Sequence, residues 1–171
     1  MKVLAIVPAR AGSEGIPDKN IRPFGQLPLL AHTVAAAAKS EHVNRIILST
    51  DSASYAEIGR DAGAEVPFLR PADLSCNTAS SESALLHALE CLHDNEGYVP
   101  DLVVFLQCTS PLTLSEDIDG CIERLLSEDA DTALSVTPSH AFLWRETSQG
   151  AAGINHDSRV RFLRQEMEAE Y

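Results

Sequence analysis

The sequence predicts an α/β fold: a mainly parallel, twisted sheet with helices on both faces. Short apolar runs of strand type alternate along the chain with segments whose apolar residues recur at three- and four-residue steps. Strands and helices in that rhythm imply right-handed crossovers between parallel strands. Two runs, residues 3–7 (VLAIV) and 101–107 (DLVVFLQ), are almost continuously apolar, as expected of strands covered on both faces. A length of 171 residues with 44% apolar content suits one domain, residues 1–171, around a single core.

Each element has its own signal. The first strand, 3–7, is ended by Pro8 and followed by a glycine-containing loop. Residues 28–40 (PLLAHTVAAAAKS) are alanine-rich and helical, and 44–50 (NRIILST) form a strand ending at Asp51. A short helix spans 53–62 and closes at Gly63, and a short strand covers 66–69, leading into Arg70 and Pro71. Residues 80–95 give the strongest helix: Ala84, Leu85, Ala88, Leu89 and Leu92 make one apolar stripe behind Ser80, Ser81 and Glu82 at its start. The strand 101–107 follows, then a helix at 115–127 with Glu116 and Asp117 in its first turn. Residues 131–137 (DTALSVT) complete the series as a strand, and 149–153 read as a turn.

The loop after the first strand, ARAGSEGIPDKN, holds Gly12, Ser13 and Gly15 between Arg10 and Lys19. A loop at the carboxyl end of such a strand is where open α/β sheets bind ligands. Glycines allow a tight bend in which successive N–H groups point at an anion, and flanking cations favour a polyphosphate. The loop fits neither G-x-G-x-x-G nor a Walker loop, since Gly15 is followed by Ile16 and Pro17. Three further polar segments follow apolar strands directly: Thr50-Asp51-Ser52, Arg70-Pro71 and 107–111 (QCTSP). In a parallel sheet all four gather on one edge and make a site.

Composition narrows the function classes. A net charge of −12 argues against a general nucleic-acid surface, although Arg10, Lys19 and Arg22 outnumber Glu14 and Asp18 locally. No apolar run approaches the roughly 20 residues of a membrane span, and the start lacks a signal peptide, so a cytoplasmic protein is expected. Cys76, Cys91, Cys108 and Cys121 lack zinc-type spacing and read as reduced, buried thiols. Asp51 is open to two roles, metal ligand or helix cap; Ser80 to cap or ligand contact; Trp144 to packing or stacking.

Taken together, IVPARAGSEGIPDKNI, ILSTDS, FLRPADL and FLQCTSPL resemble the acylneuraminate cytidylyltransferases, the CMP-sialic acid synthetases and their relatives, over essentially the whole chain. The resemblance implies a Rossmann-like fold of the nucleotide-diphospho-sugar transferase type. It also implies transfer of CMP from CTP to the anomeric hydroxyl of a nine-carbon acidic sugar, with release of pyrophosphate. By motif, Arg10 and Lys19 would be the catalytic cations. Ala11, Gly12, Ser13, Gly15, Asn20, Arg70 and Ser80 would bind the nucleotide, and Gln107, Ser110, Arg164 and Gln165 the sugar acid. Magnesium is implied as cofactor and a homodimer as assembly, with no nucleic acid or membrane partner. Family members continue beyond this point with a dimerisation segment and an aspartate pair for magnesium, so the resemblance implies that the C-terminal part of the domain is missing and that no metal ligands lie in these 171 residues. Glu14 stands where the family generally has lysine, and Cys108 where it has proline. Two alternatives stay open: a non-catalytic nucleotide- or sugar-binding module, and a nucleotidyltransferase for another sugar such as KDO.

Overall fold

The apolar run at the amino terminus becomes the central strand. In the computed structural model, which describes all residues except 14, 158, 161, 162 and 164–168, β1 (Val3–Pro8) pairs in parallel with β4 (Arg45–Ser49) on one side and β5 (Leu102–Phe105) on the other. The register runs Leu4 to Arg45 through Pro8 to Ser49, and Val3 to Leu102 through Ile6 to Phe105. An isolated parallel bridge between Ile47 and Glu65 extends the sheet beyond β4. Contacts divide the chain into two compact units, Met1–Ala133 and Leu134–Tyr171, and the sheet belongs to the first.

Alternation along β1 builds two layers. Val3, Ala5 and Val7 pack with α1 (Leu29–Lys39), α2 (Ala53–Asp61) and α4 (Ser115–Ser127), through Leu30, Val34, Tyr55, Ala56, Ile118 and Ile122. Leu4 and Ile6 face the other way, onto Ala88 and Leu92 of α3 (Ser81–Glu96). Both layers are needed because every side chain of β1 from Val3 to Val7 is at most 1% exposed. The mainly parallel sheet with helices on both faces is therefore as expected.

The helices begin and end where local chemistry sets them. Ser52 accepts from the Tyr55 N–H and Ser80 from the Ser83 N–H. Gly97 closes α3 with φ 63°, a left-handed turn that glycine takes without steric penalty.

Several expectations are corrected. Residues 66–69 form no strand: pairing stops at Glu65, and Pro67 has no N–H to continue a ladder. Residues 131–137 form no strand among the described residues, and Leu134 is 76% exposed, so nothing buries an apolar face there. The run 101–107 is only half-covered, because β5 has β1 on one edge and no paired strand on the other among the described residues. Residues 149–153 are not a turn throughout: β7 (Gly150–Gly153) pairs antiparallel with β6 (Trp144–Thr147) in the second unit. A two-residue hairpin, β2 (Pro23–Phe24) with β3 (Leu27–Pro28), was not foreseen; Gly25 turns it with φ 66°. Of the cysteines, only Cys108 is buried, while Cys91 and Cys121 are half-buried and Cys76 is exposed.

The amino end of the sheet is tied by charge. Arg45, the first residue of β4, bonds Glu65 at 2.6 Å and Glu96 at 2.7 Å, and its guanidinium lies 4.9 Å from the centre of the Tyr98 ring. Those carboxylate bonds, Glu65 first, hold the Arg45 proton more firmly than usual. Among the described residues, no helix is long and apolar enough to cross a membrane.

Candidate functional site

The order of the chain through the sheet creates a crevice. From β1 the chain passes through α1 to β4 and through α2 to Glu65; it then returns through α3, on the opposite face, to β5 on the far side of β1. The direction of winding thus reverses between β1 and β5, and open α/β sheets hold ligands at the carboxyl ends of such strands. A cavity of about 440 Å³ opens there, lined by Pro8 from the end of β1, Phe105, Gln107 and Thr109 from the end of β5, and Ser80, Ser81 and Ala84 from the start of α3.

The wall gathers the cations anticipated from sequence. Arg10, Lys19 and Arg70 all line the cavity, with Ser13, Gly15, Asn20, Ser80 and Gln107, and no carboxylate appears among the described lining residues. Arg70 is only 5% exposed, and its Nε donates to the Ser75 hydroxyl at 3.0 Å. Burial lowers its pKa below the ordinary arginine value; Asp51 opposes that shift and Arg10 adds to it. The Arg10 guanidinium donates to the Ser75 carbonyl and the Asn77 side chain, bracing the segment between Arg70 and α3. Lys19 is half-buried and takes no part in an ion pair among the described residues.

Backbone bonds fix the loop. Asn20, 6% exposed, donates from Nδ2 to the Arg10 carbonyl at 3.2 Å, closing the loop across ten residues. Gly12 has φ 71°, a conformation that other residues adopt only with strain. Gly15 has no such φ, and a Cβ there would meet nothing within 4 Å, so its glycine is required neither by backbone nor by space. Asp18 also sits in the left-handed region and accepts from the Tyr55 hydroxyl at 3.2 Å. Ser80 both caps α3 and lines the cavity, so its two candidate roles coexist.

Three expected residues stand apart from the wall. The Ala11 N–H donates to Asp51 Oδ1 at 2.8 Å, which occupies that amide. Gly12 and Ser110 are exposed and outside the lining; the Ser110 N–H donates to the Gln107 carbonyl at 3.1 Å. Glu14, Arg164 and Gln165 lie outside the described residues. Asp51 neither caps α2, which Ser52 does, nor joins a metal cluster: among the described residues, no group of three or more His, Cys, Asp or Glu could hold an ion.

Sequence reasoning missed part of the wall. Leu74, Cys76 and Ala79 come from the short segment between Arg70 and α3, whose 3-10 turn (Ala72–Ser75) carries no periodic signal. Cys76 is exposed there, and a bond with the Thr78 hydroxyl lowers its pKa. Phe105 could have been found by period: it shares the α3-side parity of Val103, and at the end of β5 that face opens into the cavity.

Comparison with known proteins gives a consistent picture. A family model described as Cytidylyltransferase matches residues 4–171. The chain is 36% identical over 138 residues to the CMP-N,N'-diacetyllegionaminic acid synthase of Legionella pneumophila, covering 81% of this chain and 59% of that protein. It is 37% identical over 140 residues to the N-acylneuraminate cytidylyltransferase of Escherichia coli O18:K1:H7, covering 81% of this chain and 32% of that one. The chain thus spans 59% of the length of the first of these relatives and 32% of the second. In fold it is similar to CMP:2-keto-3-deoxy-manno-octonic acid synthetase complexed with CTP, with a TM-score of 0.63 at 19% identity over 76% of this chain and 49% of that one.

Proposed function

The chain belongs to the cytidylyltransferase family, and from that premise we propose that it transfers CMP from CTP to the anomeric hydroxyl of a sialic-acid-like nonulosonic acid, releasing pyrophosphate. One observation carries the reading: Arg10, Lys19 and Arg70 meet in a single cavity at the winding reversal, beside the amino end of α3. A helix start with Arg10 and Lys19 suits a triphosphate, Arg70 lies beside them for the rest of the nucleotide, and the cavity is large enough for a nucleotide. The sugar class is supported by the names of the relatives, which are synthases for legionaminic and N-acylneuraminic acids.

The reaction is an in-line displacement. The anomeric oxygen attacks the α-phosphorus and gives up its proton, while the bond from that phosphorus to the bridging oxygen of pyrophosphate breaks. Little covalent chemistry falls to the protein; positioning and neutralisation of phosphoryl charge do most of the catalysis. In this reading Arg10, Ser13 and Lys19 hold the triphosphate, with the loop around Gly12 and Gly15. Asn20, Arg70 and Ser80 position the cytidine, and Gln107 lies toward the sugar acid. Magnesium supplies charge neutralisation in such reactions. The described lining residues offer it no carboxylate, so they do not fit a bound ion and no step is routed through one.

The test is pyrophosphate release on mixing the protein with CTP, magnesium and each of several nonulosonic acids. Release with CTP and a nonulosonic acid is expected. CTP binding by calorimetry without release would replace the enzyme with a binding module, and release with KDO alone would change the sugar. Absence of any nucleotide binding would overturn the reading.

A further inference from the structure

Asp51 is the one carboxylate bonded directly to the phosphate-side loop among the described residues, and neither candidate role from the sequence accounts for it. The loop, the end of β4 and Arg70 are joined by three bonds in a row. The Ala9 N–H donates to the Ser49 carbonyl at 2.9 Å, the Arg70 N–H to the Thr50 carbonyl at 2.8 Å, and the Ala11 N–H to Asp51 Oδ1 at 2.8 Å. Ser49, Thr50 and Asp51 thus act as successive pegs, with the loop hung on one side and Arg70 on the other.

The third peg differs from the first two. The bonds at Ser49 and Thr50 use main-chain acceptors, which any residue supplies, whereas the Asp51 bond depends on its side chain. It spans 40 residues and, with the Asn20 bond to the Arg10 carbonyl, ties down the loop between Ala9 and Gly12, where the chain must reverse through the φ 71° of Gly12. A carboxylate accepting an N–H makes a stronger bond than a neutral acceptor. Asp51 stays out of the cavity wall, so the anchor adds no negative charge to the surface that meets phosphate. The same carboxylate acts on Arg70, countering the effect of burial on that guanidinium.

We propose that Asp51 is a positioning residue: by accepting the Ala11 amide it sets the loop so that Arg10, Ser13 and Lys19 reach the nucleotide's phosphates. The proposal rests on the CTP reading above. It requires that the acceptor oxygen matter, so that asparagine, which can keep one oxygen toward Ala11, substitutes for aspartate far better than alanine does.

The experiment compares wild type, Asp51→Ala and Asp51→Asn by amide hydrogen exchange at Ala11 without nucleotide, and by calorimetric titration with CTP. Exchange at Ala11 should be slow in wild type and the asparagine variant and fast in the alanine variant. Asp51→Ala should weaken CTP binding roughly ten- to a hundred-fold, the range of one charge-assisted hydrogen bond, and Asp51→Asn should recover most of it. Alanine behaving as wild type, or asparagine no better than alanine while still folded by circular dichroism, would overturn the proposal. A wild type that shows Ala11 protection but binds no CTP would instead strike the CTP reading, leaving the anchor itself standing.

Discussion

Lys19→Ala gives the most direct access to the phosphate side of the cavity. Lys19 lies half-buried in the wall and pairs with no carboxylate among the described residues, so its charge is available to a ligand. An ammonium about 4 Å from a phosphate oxygen is worth about 1 kcal/mol in bulk water and about 4 kcal/mol at an effective dielectric constant of about 20. A half-buried site falls between, and about 1.4–2.7 kcal/mol corresponds to roughly a ten- to hundred-fold loss of CTP affinity. Isothermal titration should show that loss. It should also show a flatter salt dependence in the variant between about 0.1 M and about 1 M salt, over which the screening length falls from about 10 Å to about 3 Å. Stability should stay within about 0.5 kcal/mol of wild type, as for other surface changes. Titration curves that superimpose on wild type at both salt concentrations would refute the phosphate role of Lys19.

Two further outcomes concern the scaffold. Gly59→Ala should destabilise the protein by about 1–3 kcal/mol in urea unfolding, because the added Cβ would collide with Cδ2 of Leu48, a core side chain with 0% exposure; an unchanged midpoint would contradict the packing. Burial pushes the Cys108 thiol up to about 12, and burial with the Asp18 bond pushes the Tyr55 hydroxyl to about 12, against ordinary values of about 8.5 and about 10. In that window the unfolded chain sheds protons that the folded protein keeps, so stability should fall as pH rises from about 9 toward about 12, and a melting temperature flat across that range would refute the assignment.

Much of the scaffold was legible because its signals are local. Continuous burial along β1, the stripe of α3 and the serine cap at Ser80 are each set by residues within a few positions of one another. The cations at Arg10 and Lys19 were legible for the same reason, since a loop after an N-terminal strand has one place to go. Arg70 was placed at the site edge by resemblance and as the end of a strand at 66–69 that does not form; the winding reversal explains why it meets them. What escaped depends on distant partners or on single atoms. The role of Asp51 needs a bond across 40 residues, and the loss of a strand at 66–69 turns on the missing N–H of Pro67. Half-coverage of β5 reflects its position at the outside of the described sheet, which an apolar run cannot reveal.

The Arg45 cluster sits at the opposite pole of the sheet from the cavity, joining β4, the residue bridged beside it, the tail of α3 and the approach to β5. Robustness and reactivity are thereby assigned to separate addresses on one framework. A laboratory lineage selected for heat tolerance should accumulate its changes around that pole, and one selected for a new sugar around the other, so gains from the two campaigns should combine with little interference.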